Sequence, residues 1–341
     1  MRLESYTMAN SATILKDVVG VGNAIVDVIT HAGDAFLKKH GIIKGSMNLI
    51  NSSEVASIYS SMNNSLEMAG GSVSNTMSGI ASFGGSGSYI GKVKDDAIGY
   101  QFLSSLTQVG ITMESTLSTG INPTAQCLVI VTPDGERSMA TYLGACVELH
   151  PRDINPDTIR NHQIAYLEGY LWDLPNAKDA MLKVASIAQH SGRMVALTLS
   201  DQFCVRRHRE SFLKLIRDHV DILFANEEEL FALYETTNLS SAINQVRSDS
   251  KQAAITMGAK GSIIVSQEGN CQIDAIPIQK VIDGTGAGDM YAAGVLFGIT
   301  HGYELKTCGH IGSLAAQEIL GHLGARPQSE LYNLLSKVQE I

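Results

Sequence analysis

Apolar, strand-like runs alternate along the chain with longer amphipathic stretches, and this alternation constrains the fold more than any other feature. The strand-like runs occupy residues 17–28, 88–93, 164–167, 194–199, 222–225, 253–256 and 262–265. Helix-like periodicity occurs in residues 95–109, 177–189, 210–219 and 287–300. Strands that alternate with helices usually pair in parallel, with the helices packed on the sheet faces. The sequence therefore predicts an α/β fold with a mainly parallel central sheet.

Two β-like regions, residues 45–50 and 124–142, interrupt this pattern. In the second region, two β-like runs flank the turn sequence Thr132-Pro-Asp-Gly-Glu136, which predicts a hairpin. We interpret such pieces as a small, discontinuous β lid that excludes water from a site. Its segments are approximately residues 24–31, 45–50, 65–69 and 113–145. Because the chain contains no internal repeat or charge-rich linker, residues 1–341 are predicted to form a single body.

Composition disfavours several classes of protein. The chain has 341 residues, 44% of them hydrophobic, and its formal net charge of −9 argues against binding to a nucleic-acid backbone. Its five cysteines form no CxxC pair, which predicts neither a disulfide framework nor a zinc site and favours a cytoplasmic location. The first ten residues, MRLESYTMAN, do not resemble a secretion signal, and the apolar stretches are too short to span a membrane.

A glycine-rich segment before a helical pattern is the strongest chemical signal in the sequence. It reads Asp283-Gly-Thr-Gly-Ala-Gly-Asp289. Glycines allow a sharp turn with outward N–H groups, and the positive end of the following helix dipole favours an anion, so the segment predicts a phosphate-binding loop. A bound phosphate would repel a carboxylate that had no task there, so Asp289 is predicted to face an attacking hydroxyl. The alternative is that Asp289 only caps the helix.

A second glycine-rich segment, Gly70-Gly-Ser-Val-Ser-Asn75, also precedes a helix-like stretch. Its glycines permit a ligand to approach the backbone closely, and the Asn75 amide can both donate and accept hydrogen bonds. These properties suit a polyhydroxylated substrate. An ordinary turn before a helix is the alternative.

Two further segments follow strand-like runs. Asn226-Glu-Glu-Glu229 comes at the carboxyl end of a predicted parallel strand, where α/β sheets bind ligands. Carboxylates there can hold Mg²⁺ through water, although an acidic first turn that complements the helix dipole is the simpler alternative. Thr256-Met-Gly-Ala-Lys-Gly261 lies between two strand-like runs and either contacts a nucleotide or forms a hairpin turn.

Two nucleotide-binding motifs are incomplete. Gly20-Val-Gly22 follows a strand-like run, but Ile25 occupies the third glycine position of a dinucleotide fingerprint, which makes a nicotinamide oxidoreductase remote. Gly91-Lys92 lacks the upstream glycine of a Walker loop, because that position is Ser86, and it also lacks the following Ser or Thr.

In their order along the chain, the motifs resemble those of the ribokinase (PfkB-type) family of carbohydrate and nucleoside kinases, from about residue 18 to residue 325. Residues 70–75 and 283–289 resemble the family's two signatures. Residues 226–229 resemble its Asn-x-x-Glu element, and residues 256–261 resemble its nucleotide loop. The resemblance implies a ribokinase-like three-layer α/β/α fold and an ATP-dependent kinase that phosphorylates a hydroxyl group.

The resemblance also implies roles for individual residues. Asp289 would be the catalytic base, with an anion hole formed by Gly286, Ala287 and Gly288. The residues implied to contact the acceptor substrate are Asn23, Asp27, Gly70, Gly71, Asn75, Arg137 and Tyr170. Those implied to contact ATP are Asn226, Thr256, Gly258 and Gly261. Glu229 would organise Mg²⁺ through water, and Asp283 lies where the family often binds a monovalent cation, typically K⁺.

Within the family, the Gly22-Asn23 start and the run Pro123-Thr-Ala-Gln-Cys127 resemble adenosine kinases more than ribokinases. Tyr170 is positioned like an aromatic residue that stacks on a nucleoside base, or else it packs in the core. Met47 stands where a polar base-reading residue is expected, which keeps a sugar such as ribose or fructose as an alternative acceptor. The non-enzyme alternative is a catalytically silent nucleotide-binding sensor. We expect a monomer or homodimer that acts on a small nucleoside or sugar, without nucleic-acid or membrane partners.

Overall fold

A computed structural model describes residues 14–340, without the side chains of residues 339 and 340. The predicted single body of residues 1–341 thus includes residues 1–13 and 341, which lie outside the described part. Residues 1–10, whose sequence does not resemble a secretion signal, also lie outside the described part. Within residues 14–340, no helix has both the length and the hydropathy required to cross a membrane.

The larger of two sheets contains nine strands and forms the centre of the fold. Its strands are β1 (Lys16–Val21), β5 (Gly87–Ile90), β6 (Thr112–Met113), β9 (His162–Glu168), β10 (Met194–Thr198), β11 (Ile222–Asn226), β12 (Gln252–Thr256), β13 (Ser262–Ser266) and β14 (Asn270–Ile273). Their spatial order is β14-β13-β12-β11-β10-β9-β1-β5-β6. Neighbouring strands are parallel from β12 to β6, whereas the β12–β13 and β13–β14 pairs are antiparallel.

Helices cover both faces of this sheet. On one face pack α5 (Pro156–Arg160), α6 (Pro175–His190), α7 (Gln202–His219), α8 (Glu227–Tyr234) and α9 (Leu239–Asp249). On the other face pack α3 (Ser72–Ser82), α4 (Ala97–Gln108), α10 (Ala287–Thr300) and α11 (Leu305–Leu320). Because both faces are covered, consecutive residues of a strand can both be apolar. In strand β1, Val18 packs against one helical layer and Val19 against the other, and both are fully buried. The α/β class with a mainly parallel sheet is confirmed.

The second sheet has five strands in the order β3-β8-β7-β2-β4. They are β2 (Ile25–His31), β3 (Met47–Leu49), β4 (Leu66–Ala69), β7 (Ala125–Val131) and β8 (Arg137–Tyr142). Helices α1 (Asp34–His40) and α2 (Ser52–Ser61) pack on it through Leu37, Val55 and Ile58. Strands β7 and β8 pair in antiparallel register, which confirms the hairpin predicted for residues 124–142.

The prediction of one strand over residues 17–28 is wrong, because the run contains two strands that belong to different sheets. Strand β1 ends at Val21. The Gly22 amide donates one more hydrogen bond to the Ile90 carbonyl, at 3.0 Å, before the chain crosses over to β2. Strand β2 then pairs with β7 and β4. Hydrophobicity stays high through the crossover, where Ala24 is fully buried, so the apolar pattern does not mark the change of sheet.

Candidate active site

Asp289 lies in the first turn of α10 and points towards helix α3. Its carboxylate accepts hydrogen bonds from the Ser72 hydroxyl at 2.6 Å and from the Asn75 amide nitrogen at 3.0 Å. The residue that precedes the helix is Gly286, and no side chain caps this end, so the alternative that Asp289 only caps its own helix is wrong. Burial raises the pKa of Asp289, and the hydrogen bonds from Ser72 and Asn75 offset part of that rise.

The loop before α10 has the geometry that its glycines predict. Gly286 has a φ of 80°, and a β-carbon at this position would lie 2.8 Å from the backbone of Ala325. Only glycine therefore fits without moving the facing segment. Within the loop, the Ala287 amide donates to the Gly284 carbonyl at 3.3 Å, whereas a side chain at Gly288 would meet open space.

Asp283 and Arg137 form an ion pair that links this loop to strand β8 of the second sheet. Arg137 Nη1 lies 2.6 Å from Asp283 Oδ2. The backbone amides of Thr285 and Gly324 donate to the same carboxylate at 2.9 and 3.1 Å. Burial raises the pKa of Asp283, but these hydrogen bonds and the Arg137 charge outweigh it and leave the pKa below its ordinary value. Two residues to which the sequence assigned separate roles are thus direct partners.

Two of the predicted acceptor-side residues, Gly70 and Arg137, lie near Asp27 on β2. A β-carbon at Gly70 would collide with the Asp27 carboxylate, and one at Gly71, where φ is 87°, would collide with the Asn23 carbonyl oxygen. Glycines at positions 70 and 71 therefore permit a close approach between the start of α3 and the second sheet. Burial raises the pKa of Asp27 to about 7, although the nearby charge of Arg137 lowers it.

Glu168, at the carboxyl end of β9, is a buried carboxylate that the sequence analysis missed. It accepts hydrogen bonds from Asn23 Nδ2 at 2.7 Å, from the Asn23 amide at 3.3 Å and from the Val73 amide at 3.2 Å. It thereby holds the β1–β2 crossover against the start of α3. Burial raises its pKa to about 7, and hydrogen bonds from Asn23 lower it only in part. The signal in the sequence was an acidic residue that directly follows the apolar run of residues 164–167.

Tyr170 lies in the short helical turn Gly169–Asp173 that follows β9. Burial and the nearby carboxylates of Asp201 and Glu229 raise its pKa well above the ordinary value. The tyrosine is half-buried and is not among the residues that line the two cavities described below. The base-stacking role of Tyr170 therefore stays a prediction.

Asn226 and Glu229 bind each other at the start of α8. The Asn226 side-chain oxygen accepts from the Glu229 amide at 2.8 Å, and Glu229 accepts from the Asn226 amide at 3.0 Å and from its side-chain nitrogen at 2.8 Å. These hydrogen bonds form a capping box, and the predicted acidic first turn, Glu227 to Glu229, is present at the start of the helix, so both residues have a structural role there. Burial raises the pKa of Glu229 to about 7. In the described part of the chain, no group of three or more His, Cys, Asp or Glu could hold a metal ion by itself.

Two cavities meet beside Asp289. A cavity of about 200 Å³ is lined by Asp289, Ser72, Asn226 and Glu229, among others. A groove of about 620 Å³ is lined mainly by apolar residues, including Ile276, Pro277, Val281, Ala316 and Leu320. Thr256, Gly288 and Tyr291 line both. Gly258 and Gly261 lie in the groove wall, and because their segment connects antiparallel strands β12 and β13, it is also a hairpin turn.

Comparisons with known proteins agree with this architecture. Residues 60–331 match the model of the pfkB family carbohydrate kinase. The chain is 46% identical to the adenosine kinase from Sinorhizobium meliloti, with a TM-score of 0.90 over 94% of this chain and 99% of that one. It is 43% identical to a probable sugar kinase from Rhizobium etli, with a TM-score of 0.91 over 96% of this chain and all of that one. The adenosine kinase of Saccharomyces cerevisiae is 24% identical over 335 residues, 92% of this chain and 97% of its own.

Proposed function

Because the chain belongs to the pfkB family of carbohydrate kinases, we propose that it transfers the γ-phosphate of ATP to a hydroxymethyl group of a nucleoside, with adenosine favoured. The predicted family, the ribokinase-like fold and the enzyme class, a phosphotransferase with an alcohol acceptor, are confirmed by the comparisons. The similarity to an adenosine kinase supports the nucleoside. The similarity to a probable sugar kinase supports the alternative acceptor, a sugar such as ribose or fructose.

One observation carries the proposal: Asp289 lines a polar cavity that shares Gly288 and Thr256 with an apolar groove. An apolar groove suits the flat base of ATP, and a polar cavity next to it suits the phosphates. The start of α3 brings Ser72 and Asn75 into hydrogen-bond contact with the Asp289 carboxylate, and Asn75 belongs to the segment implied to contact the acceptor. Nucleotide and acceptor would therefore meet at Asp289.

In the proposed reaction, Asp289 receives the proton of the attacking hydroxyl. The acceptor oxygen forms a bond to the γ-phosphorus, the bond from that phosphorus to the bridging oxygen breaks, and ADP leaves. Burial makes Asp289 a stronger base than a free aspartate, since its pKa is raised. The hydrogen bonds from Ser72 and Asn75 hold the carboxylate in one orientation. Because the transition state of phosphoryl transfer is loose, the proton can leave late, and orientation of the hydroxyl is the main task.

We propose that the loop of residues 286–288 stabilises the negative charge of the transferred group. The N–H groups in the first turn of an α-helix lack partners within the helix, and the helix dipole adds partial positive charge there. In this protein the Ala287 amide already donates to Gly284, at 3.3 Å. We therefore expect the amide of Gly288, a residue that lines both cavities, to contribute most.

Mg²⁺, when bound, neutralises charge on the phosphates. The residues present fit a water-mediated site: the buried Glu229 carboxylate lines the polar cavity together with Asn226, and residues 14–340 form no cage of protein ligands around it. Asp283 remains the candidate for K⁺, and the cation would have to share this carboxylate with Arg137. Dependence of turnover on K⁺ tests that part of the proposal.

We propose that the second sheet acts as a lid over the acceptor. Its strand β2 carries Asp27, and its strand β8 carries Arg137, whose ion pair with Asp283 contacts the phosphate-binding loop. The Asp283 side chain is only 2% exposed, and its ion pair with Arg137 forms only when the second sheet and the loop are in contact. A closed lid would shield ATP from hydrolysis by water.

A substrate panel tests the proposed function. Release of ADP is measured with adenosine, ribose and fructose, each with and without Mg²⁺, and thermal unfolding is followed with the same ligands. Rapid, Mg²⁺-dependent turnover of adenosine supports the proposal, whereas turnover of ribose or fructose alone supports the sugar kinase. Thermal stabilisation by ATP and adenosine without turnover of any acceptor would identify a silent sensor.

A further inference from the structure

Arg326 lies on the segment that supports the phosphate-binding loop, and it reaches the acceptor side of the site. The segment follows α11: the Gly324 amide donates to Asp283, and the Ala325 backbone packs against Gly286. The next residue, Arg326, turns towards helix α3, where its Nη2 donates to the Ser74 hydroxyl at 3.1 Å. The motifs in the sequence imply no role for Arg326.

Contacts of Ser74 connect Arg326 to Asp27. The Ser74 hydroxyl also donates to the Gly70 carbonyl, and Gly70 packs directly against the Asp27 carboxylate. The Arg326 charge lies close enough to Asp27 to lower the pKa of that carboxyl. Arg326 therefore lies near Asp27 on the acceptor side.

Arg326 has hydrogen-bonding capacity that the described part of the chain does not use. Its Nε is buried and has no hydrogen-bond partner there, and the hydroxyl of the fully buried Tyr89, whose pKa responds to the Arg326 charge, has none either. A guanidinium carries five N–H donors and no acceptor. A buried donor without a partner is costly, and in a native structure it indicates a water or a ligand. Burial lowers the pKa of Arg326 to about 10, so the group remains charged at neutral pH.

We propose that Arg326 is a substrate-binding residue that donates its Nε hydrogen to a hydroxyl oxygen of the acceptor. Asp27 can only accept hydrogen bonds when ionised, and Arg326 can only donate them. An acceptor and a donor in one region of the site match a hydroxyl group, which can both donate and accept, or two adjacent hydroxyls. When Asp27 is ionised, its charge balances that of Arg326, which favours a neutral polyhydroxylated molecule over a phosphate or carboxylate.

This inference rests on the proposed function, and a comparison of deoxy substrates separates the two. The parent enzyme and Arg326→Met are assayed with adenosine, 2′-deoxyadenosine and 3′-deoxyadenosine. Arg206→Met, which removes an exposed arginine on α7, is the control. Failure of the parent to phosphorylate adenosine overturns the nucleoside assignment; the same comparison is then made with the sugar that is turned over and its deoxy forms.

The expected result is a rise of about 10-fold or more in the KM for adenosine with Arg326→Met, while the KM for ATP changes less than 3-fold. The parent should also discriminate against at least one deoxy substrate, and Arg326→Met should lose most of that discrimination. If Arg326→Met does not fold, Arg326→Lys, which keeps the charge but loses the Nε donor, is measured in the same way. Unchanged discrimination between adenosine and its deoxy forms in the folded variant overturns the proposal.

Discussion

Replacement of Asp289 by asparagine separates its chemical role from its structural role. The side chains have nearly the same shape, and the asparagine oxygen can still accept the hydrogen bond that Ser72 donates at 2.6 Å. The amide group that replaces the other oxygen faces the donating amide of Asn75, so the second hydrogen bond, 3.0 Å long, is lost. Loss of one such bond costs about 1 kcal/mol of stability, which a folded enzyme tolerates.

The expected effect on the reaction is larger. Loss of a general base lowers turnover by roughly two to four orders of magnitude. That range corresponds to about 3 to 5 kcal/mol in the activation free energy. The catalytic effect of Asp289→Asn should therefore exceed its effect on stability several-fold, and acceptor binding should persist.

Three measurements test this prediction. ADP release in the presence of saturating substrates gives turnover, urea unfolding gives the change in stability, and thermal unfolding with and without acceptor reports binding. Asp179→Asn, which makes the same change at an exposed position of α6, is the control and should behave like the parent. Turnover of Asp289→Asn within a few-fold of the parent value would refute the assignment of Asp289 as the base.

Three further predictions concern the metal, the backbone and pH. Glu229→Gln should raise the Mg²⁺ concentration for half-maximal activity by about 10-fold or more. The control is Glu228→Gln at the exposed neighbouring position, which should leave that concentration unchanged. An equal rise in both variants contradicts the metal role. Gly71→Ala should lower the free energy of unfolding by about 2 kcal/mol more than Gly192→Ala. Both glycines have positive φ, but of the two only Gly71 faces a backbone oxygen. Equal urea midpoints of the two variants argue against this close approach. Burial raises the pKa of Asp27 from 3.8 to about 7, so the folded parent loses stability relative to Asp27→Asn as pH rises from about 4 to 7. Urea unfolding at several pH values should show this difference growing by a few kcal/mol, and a constant difference contradicts it.

Motifs whose geometry is local were predictable from sequence. The loop before α10 needs glycine at position 286 because its φ is 80°, and the helix that follows begins at Ala287, as its periodicity predicted. Helix α7 was predicted only in part: the predicted residues 210–219 correspond to the part after a kink at His208. The part before the kink begins at Gln202, where Asp201 caps it by accepting from the amides of Phe203 and Cys204, and it was not predicted. The charged residues of its first half hid the apolar period.

By itself, the sequence determined the α/β class, the glycine-rich loop before α10 and the order of the family's motifs, because periodicity, glycine content and spacing are properties of short segments. Only the tertiary structure decided which distant side chains meet. Arg137 pairs with Asp283 across 146 positions, Asn23 binds Glu168 across 145, and Arg326 reaches Ser74 across 252. No local pattern encodes such contacts, because they depend on how two sheets and their helices pack. That packing gave Asp289 its hydrogen-bond donors from α3 and gave Asp27 its cationic neighbours.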